Sequence, residues 1–293
     1  MKFGTLYSYW NKDWDCEPQE YATLIERLAG LGFDILEVSA DHVYKMTENE
    51  LLQLREKCEQ YKMLITTNSG PAPEYDLASA NPQVRARGID YFRTILEKMV
   101  ILQSPTLAGA IYSYWPCDFV NTDKQLAWDR SIEAMKAIAE TAENVGITIA
   151  LEVLNRNETY IMNTCEEGIA YCERVGSKAV KILLDTYHMN IEEDNLAQAV
   201  KTAGNWLGHL HVGECNRKLP GMNNSIDWPA LGAALHEIGY DKGVVMEPFL
   251  LTGGAVAQSI RVWRDLSTQA NDADMDRYIG ESLQFLRTTF AKK

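Results

Sequence analysis

Eight short apolar runs alternate with amphipathic stretches along this chain, and the later four of those runs each end on a residue able to bind a metal. In Ile147-Thr148-Ile149-Ala150-Leu151 only Thr148 is polar, so the run reads as a strand buried on both faces, which Glu152 interrupts. A carboxylate at the end of a buried strand costs several kcal/mol unless it is paired, hydrogen-bonded or metal-bound. The device recurs: Lys181-Ile182-Leu183-Leu184 ends on Asp185, Leu207-Gly208-His209-Leu210 on His211 and Val244-Val245-Met246 on Glu247.

In chain order, the pattern predicts strands over Lys2–Tyr9, Asp34–Ser39, Met63–Asn68, Thr106–Tyr112, Ile147–Glu152, Val180–Asp185, Leu207–Val212 and Gly243–Glu247. Between them it predicts helices over Glu17–Leu31, Thr47–Tyr61, Pro82–Gln103, Asp123–Val145, Asn163–Val175, Asn195–Ala203 and Trp228–Ile238, with a last one over Asp274–Phe290. Gly32, Gly146 and Gly239 are helix stops, and Thr47 followed by Glu50 is a capping box. Eight strand–helix pairs over this length predict an α/β fold, a single (β/α)₈ TIM barrel in one catalytic domain spanning residues 1–293. Glu152, Asp185, His211 and Glu247 sit about one strand–helix unit apart, which would bring them together at the C-terminal face of the barrel. A doubly wound sheet, the alternative, would spread them along a crevice.

A net charge of −13 repels phosphate backbones and argues against a nucleic-acid partner. A small neutral substrate fits better. No apolar run approaches the roughly 18 residues of a membrane span, and Met1-Lys2-Phe3-Gly4-Thr5 leads straight into a strand, so neither a membrane span nor a signal peptide is expected. The six cysteines show no CxxC pair and read as reduced thiols of a cytoplasmic protein.

Glu152, Asp185, His211 and Glu247 form an oxygen-rich set with one imidazole, the donor mix of Mn²⁺, Mg²⁺ or Co²⁺ rather than of a structural zinc. His209, two residues before His211 on the same strand face, reads either as a group that orients the ligands or as a hydrogen-bonded core histidine. His188 follows Asp185 closely enough to turn back over the metal, and Glu158 and Arg217 stand in polar segments just past two of the strands. Among the aromatic residues after strands one and four, Tyr7 and Trp115 are the candidates for a pocket wall, since aromatic faces pack against the C–H faces of sugars. Phosphate-binding glycine motifs and a serine nucleophile elbow are missing.

The chain resembles the ketose 3-epimerases, the D-tagatose and D-psicose 3-epimerases among the xylose-isomerase-like TIM barrels. The likeness runs nearly end to end, from Tyr7-Ser8-Tyr9-Trp10 through Leu31-Gly32-Phe33-Asp34-Ile35-Leu36-Glu37 and Tyr112-Ser113-Tyr114-Trp115-Pro116. Its most specific parts are Leu151-Glu152-Val153-Leu154-Asn155-Arg156, the stretch from Leu184 to Asp194, Gly208-His209-Leu210-His211 with Gly213-Glu214-Cys215-Asn216-Arg217, and Val245-Met246-Glu247-Pro248-Phe249.

The resemblance implies one divalent metal per subunit, Mn²⁺ or Co²⁺ with Mg²⁺ tolerated, held by Glu152, Asp185, His211 and Glu247. It matches Glu158, His188 and Arg217 to contacts with the substrate's first oxygens and suggests homodimers or homotetramers. The expected reaction is inversion at carbon 3 of a free ketohexose through a cis-enediolate, with Glu152 and Glu247 as acid and base on opposite faces. The alternative is a metal-dependent aldose–ketose isomerase. Two segments depart from the family pattern: Thr67-Asn68-Ser69-Gly70-Pro71 lacks a histidine found in some relatives, and Gly221–Ile226 differs before strand eight. Both bear on substrate preference or subunit packing.

Overall fold

The computed structural model describes residues 1–120 and 122–291. Its strands are β1 (Lys2–Leu6), β2 (Ile35–Ser39), β3 (Leu64–Ser69), β4 (Thr106–Gly109), β5 (Thr148–Glu152), β6 (Val180–Asp185), β7 (Leu207–Val212) and β8 (Gly243–Met246). They pair in parallel in sequence order, and β1 closes on β8, with Phe3 opposite Val244 and Thr5 opposite Met246. The expected TIM barrel is therefore what the chain forms.

Around it lie α1 (Pro18–Leu31), α2 (Ala40–Lys45), α3 (Glu48–Tyr61), α4 (Pro82–Leu102), α5 (Lys124–Val145), α6 (Cys165–Val175), α7 (Thr186–Glu192), α8 (Leu196–Ala203), α9 (Trp228–Glu237), α10 (Gly254–Ile260) and α11 (Asp272–Thr289). The capping box at α3 is reciprocal: Glu50 N–H donates to Thr47 Oγ1 at 3.3 Å, and Thr47 N–H to Glu50 Oε2 at 2.7 Å. Gly32 and Gly146 take the left-handed conformation that ends α1 and α5.

Because strand side chains alternate, each strand divides its residues between two cores. Leu107, Ile149, Leu151, Leu184, Leu210, Val244 and Met246 join the main core shared with the helices. Their neighbours form two small clusters of their own inside the barrel, Ala108 with Ala150 and Leu183, and Leu6 with Ile35 and Val245. Counting two residues further along the inward face leads from Ile35 to Glu37, Ala150 to Glu152, Leu183 to Asp185, His209 to His211 and Val245 to Glu247. An apolar floor thus carries a polar layer at the carboxyl ends of the strands.

Two strand ends and three short helices depart from expectation. The first strand stops at Leu6 rather than Tyr9, because its pairing with β2 ends at Leu6–Glu37 and with β8 at Thr5–Met246; Tyr7–Trp10 coil into a 3₁₀ turn. The fourth stops at Gly109 rather than Tyr112. There φ is +112°, and a Cβ would stand 2.2 Å from the Ser69 carbonyl oxygen, so only glycine lets the chain leave the sheet at this point. Gly109→Ala is accordingly expected to destabilise the fold by about 1–3 kcal/mol, read as a lower denaturant midpoint at unchanged slope. Finally, α2, α7 and α10 occupy stretches where the pattern predicts no helix.

All six cysteines are unpaired. Among the described residues no helix is long and apolar enough to cross a membrane.

Candidate active site at the carboxyl end of the barrel

β5 and β6 end on Glu152 and Asp185, β7 carries His211 opposite Asp185, and Glu247 follows β8, its N–H still donating to the Val212 carbonyl at 3.1 Å. Asp185, His211 and Glu152 are buried. The His211 Nδ1 lies 3.7 Å from Glu152 Oε1 and 3.7 Å from Glu247 Oε2, has no hydrogen-bond partner, and is shut off from solvent. Glu152, Asp185, His188 and Glu247 can each bring one ligand atom within 4.8 Å of the others, and Glu37, His209 and His211 form a second such group.

The hydrogen bonds of the two flanking imidazoles tell their roles apart. Two Asn155 groups, the backbone N–H at 3.1 Å and Nδ2 at 2.7 Å, face His188 Nδ1. The amide is held in that orientation because its Oδ1 accepts the Asn157 N–H at 2.8 Å. His188 Nδ1 is thus an acceptor. Burial pushes the His188 pKa down to about 4, so the ring is neutral and its one proton sits on Nε2. That atom, 3.6 Å from Glu152 Oε1 and 3.7 Å from Asp185 Oδ2, offers the cavity a donor and no lone pair for a cation.

His211 has the opposite arrangement. Its Nε2 lies 2.7 Å from Glu37 Oε1, a carboxylate that can only accept, so Nε2 keeps its proton. Burial lowers the ring's pKa, but the charges of Glu37 and Glu247 outweigh that and hold it well above the usual value, and Nδ1 is the nitrogen that would give up its proton for a bound cation. Glu37 is fully buried, takes the Thr66 hydroxyl at 2.6 Å and Asn68 Nδ2 at 3.3 Å, and stands 2.9 Å from His209 Nε2. His209 therefore belongs to the support of this layer. Neither Glu37 nor Asn155 was expected to serve the site, although Glu37 interrupts the apolar strand Ile35–Val38 as Glu152 interrupts its own.

The donor set fits a divalent cation. Three carboxylates crowd one buried space, and burial, with the charges of Glu247 and Asp185, pushes Glu152 up to about 7 despite the nearby His211. Burial likewise raises Glu247, but the charges of His211 and Arg217 outweigh it and hold that carboxyl low. Oxygen donors in excess over a single imidazole nitrogen match a hard ion.

Arg217 reaches in from the loop after β7, in the left-handed conformation with φ +65°. Its Nη1 lies 3.0 Å from Glu247 Oε2 and 3.3 Å from Asp185 Oδ2, its Nη2 lies 3.7 Å from Glu158 Oε1, and its guanidinium stacks 3.6 Å over the Tyr187 ring. Glu158 accepts Trp115 Nε1 at 2.8 Å and Asn155 Nδ2 at 3.2 Å. Glu152, Glu158, His188, Arg217 and Glu247 line one cavity of about 450 Å³, walled by Tyr7, Trp14, Trp115 and Phe249, a size suited to a small molecule. Asp185 and His211 lie at the barrel end but do not line that cavity.

Of the two departures from the family pattern, Asn68, Ser69 and Gly70 lie in the cavity wall. The 221–226 loop lies outside it, tied to the buried Glu214 carboxylate by the Gly221 and Ser225 N–H groups, each at 2.8 Å, and by Ser225 Oγ at 2.6 Å.

The family model described as xylose isomerase-like TIM barrel matches residues 25–286. The D-psicose 3-epimerase of Ruminiclostridium cellulolyticum is 42% identical over 98% of this chain and 97% of its own, and that of Agrobacterium fabrum 41% identical over 98% of each. The crystal structure of D-psicose 3-epimerase with D-tagatose from Clostridium cellulolyticum H10 superposes with a TM-score of 0.96 at 41% identity, covering 100% of both chains. By sequence over nearly its whole length and by fold, the chain belongs to the ketose 3-epimerases of the xylose isomerase-like TIM barrels, an isomerase family.

Proposed function

We propose that this chain, acting as one catalytic domain, inverts carbon 3 of free ketohexoses, interconverting D-fructose with D-psicose and D-tagatose with D-sorbose. The observation that carries this reading is the pair of carboxylates Glu152 and Glu247, delivered by strands on either side of His211 and each 3.7 Å from its Nδ1. Epimerisation removes the proton on carbon 3 and returns one to the opposite face. It therefore needs two groups that can trade base and acid roles, and no external reductant or oxidant.

Glu152, Asp185, His211 and Glu247 would hold a divalent ion, Mn²⁺ first with Co²⁺ or Mg²⁺ as substitutes. When bound, the ion supplies Lewis-acid stabilisation of the negative charge that builds on the substrate's oxygens. Glu152 and Glu247 take and return the carbon 3 proton as the cis-enediolate forms and collapses. Arg217 and the Nε2–H of His188 donate to the first two oxygens, and Glu158 accepts from the terminal hydroxyl. The aromatic wall, with Tyr7 and Trp115, covers the carbon chain and excludes water. The unpaired cysteines support a cytoplasmic location, and the resemblance supports a homodimer or homotetramer.

The test is incubation of D-fructose with the Mn²⁺-loaded protein in deuterium oxide. D-Psicose with deuterium at carbon 3 is the expected product; glucose or mannose would favour the aldose–ketose isomerase instead.

A further inference from the structure

The cavity does not end at the substrate-sized pocket. Beyond Tyr7, whose ring packs 5.6 Å from that of His42, it runs past Asp15, Asp41, His42 and Lys45. Asp15, His42 and Lys45 also line a second cavity of about 260 Å³, which adds Glu17, Met46 and Glu50 among its walls. The two spaces share these three residues as a common wall, and neither Glu152 nor Glu247 lines the second.

One imidazole, that of His42, stands in the wall of this annexe. The Tyr21 hydroxyl accepts the Ser39 N–H at 3.3 Å and lies 2.6 Å from His42 Nδ1, so its own proton goes to that nitrogen. The neutral His42 ring then carries its proton on Nε2, which has no protein partner among the described residues. The charge is one-sided. Asp15, Asp41, Glu17 and Glu50 face a single cation, Lys45, which already pairs with Asp41 at 3.3 Å.

From these observations we propose that the annexe admits a neutral sugar unit attached to the far end of the ketose, so that the protein epimerises 6-O-glycosyl ketoses as well as free ones and rejects ketose 6-phosphates. The inference rests on the reading that carbons 1 to 3 lie at Glu152 and Glu247. Carbon 6 then points out past Tyr7 towards His42 and Lys45. Hydroxyl-rich rings suit a lining of carboxylates and an imidazole N–H, whereas a phosphate would face uncompensated negative charge. The reaction balances as before: one carboxylate takes the carbon 3 proton, the other returns one, and the glycosidic bond is untouched.

The test gives Mn²⁺-loaded protein D-fructose, isomaltulose (D-fructose bearing glucose on O6) and D-fructose 6-phosphate in deuterium oxide, with products and label read by mass spectrometry. Isomaltulose is expected to react with kcat/KM within roughly tenfold of that for D-fructose, and the phosphate to fall about a hundredfold or more below. Lys45→Trp, which fills the annexe, is expected to lower the isomaltulose-to-fructose ratio by roughly tenfold or more. Asp15→Lys should raise the phosphate-to-fructose ratio. Conversion of D-fructose without isomaltulose, or a ratio unmoved by Lys45→Trp, overturns the annexe alone, and turnover of the phosphate as good as that of D-fructose overturns its charge selection. If D-fructose itself does not react, the parent reading fails instead. Saturation transfer from the Mg²⁺-loaded protein to the glucosyl protons of isomaltulose then still decides: a transfer signal that Lys45→Trp abolishes supports the annexe, and no signal from the unsubstituted protein overturns it.

Discussion

Replacing either Glu152 or Glu247 by glutamine is expected to lower kcat for D-fructose by about 10²–10⁴-fold, the range that a positioned general acid or base contributes. Glutamine keeps the length and a ligating oxygen but can neither take nor return the carbon 3 proton. Metal content should therefore stay near one ion per chain, and D-psicose should still bind in calorimetry. The combination separates proton transfer from assembly of the site. A variant that retains more than about a tenth of wild-type turnover with its metal in place removes that carboxylate from the chemistry. One that loses the metal reports on ligation instead.

The second large effect is expected at Glu37, which touches neither substrate nor ion in the proposed reading. Burial alone would raise its pKa, but the charges and hydrogen bonds of His211 and His209 outweigh that and hold it well below the carboxylate range. Glu37→Ala leaves His211 Nε2 buried without its acceptor, at an expected cost of about 3–5 kcal/mol in stability, read from denaturant unfolding of the metal-free protein. Freed of that partner, the ring can place its proton on Nδ1 and withdraw the lone pair from the site. Mn²⁺ affinity should fall by about 10–100-fold, followed as the metal dependence of the melting temperature. Glu37→Gln keeps an oxygen acceptor in place and should recover most of the stability but less of the affinity. Unchanged Mn²⁺ affinity in a folded Glu37→Ala protein would remove Glu37 from the support of the site.

How much of this was readable from the chain depends on the range of the interactions involved. Glu152, Asp185, His211 and Glu247 stand out because a polar residue ending an apolar strand is a local anomaly, and the alternating period tells which face it takes. Glu37 carries the same signal, yet Val38 follows it and masks the strand's end, and its partner His211 lies 174 positions away. The tautomer of His188 is set by Asn155, 33 positions back, and no periodicity encodes that contact. Helices of six or seven residues such as α2, α7 and α10 are too short to display a 3.6-residue repeat. The strand ends at Leu6 and Gly109 follow from where neighbouring strands stop offering partners, which only the closed barrel determines.

Asp185 leads a double life with an experimental cost. While Oδ2 faces Arg217 and His188, Oδ1 accepts the Tyr187 N–H at 3.0 Å and so starts the helix on which His188 rides. A substitution that loses this cap displaces a neighbour's ring along with the missing oxygen. Alanine scanning would therefore overstate this aspartate's share in ion binding, and a helix-capping asparagine is the fairer replacement.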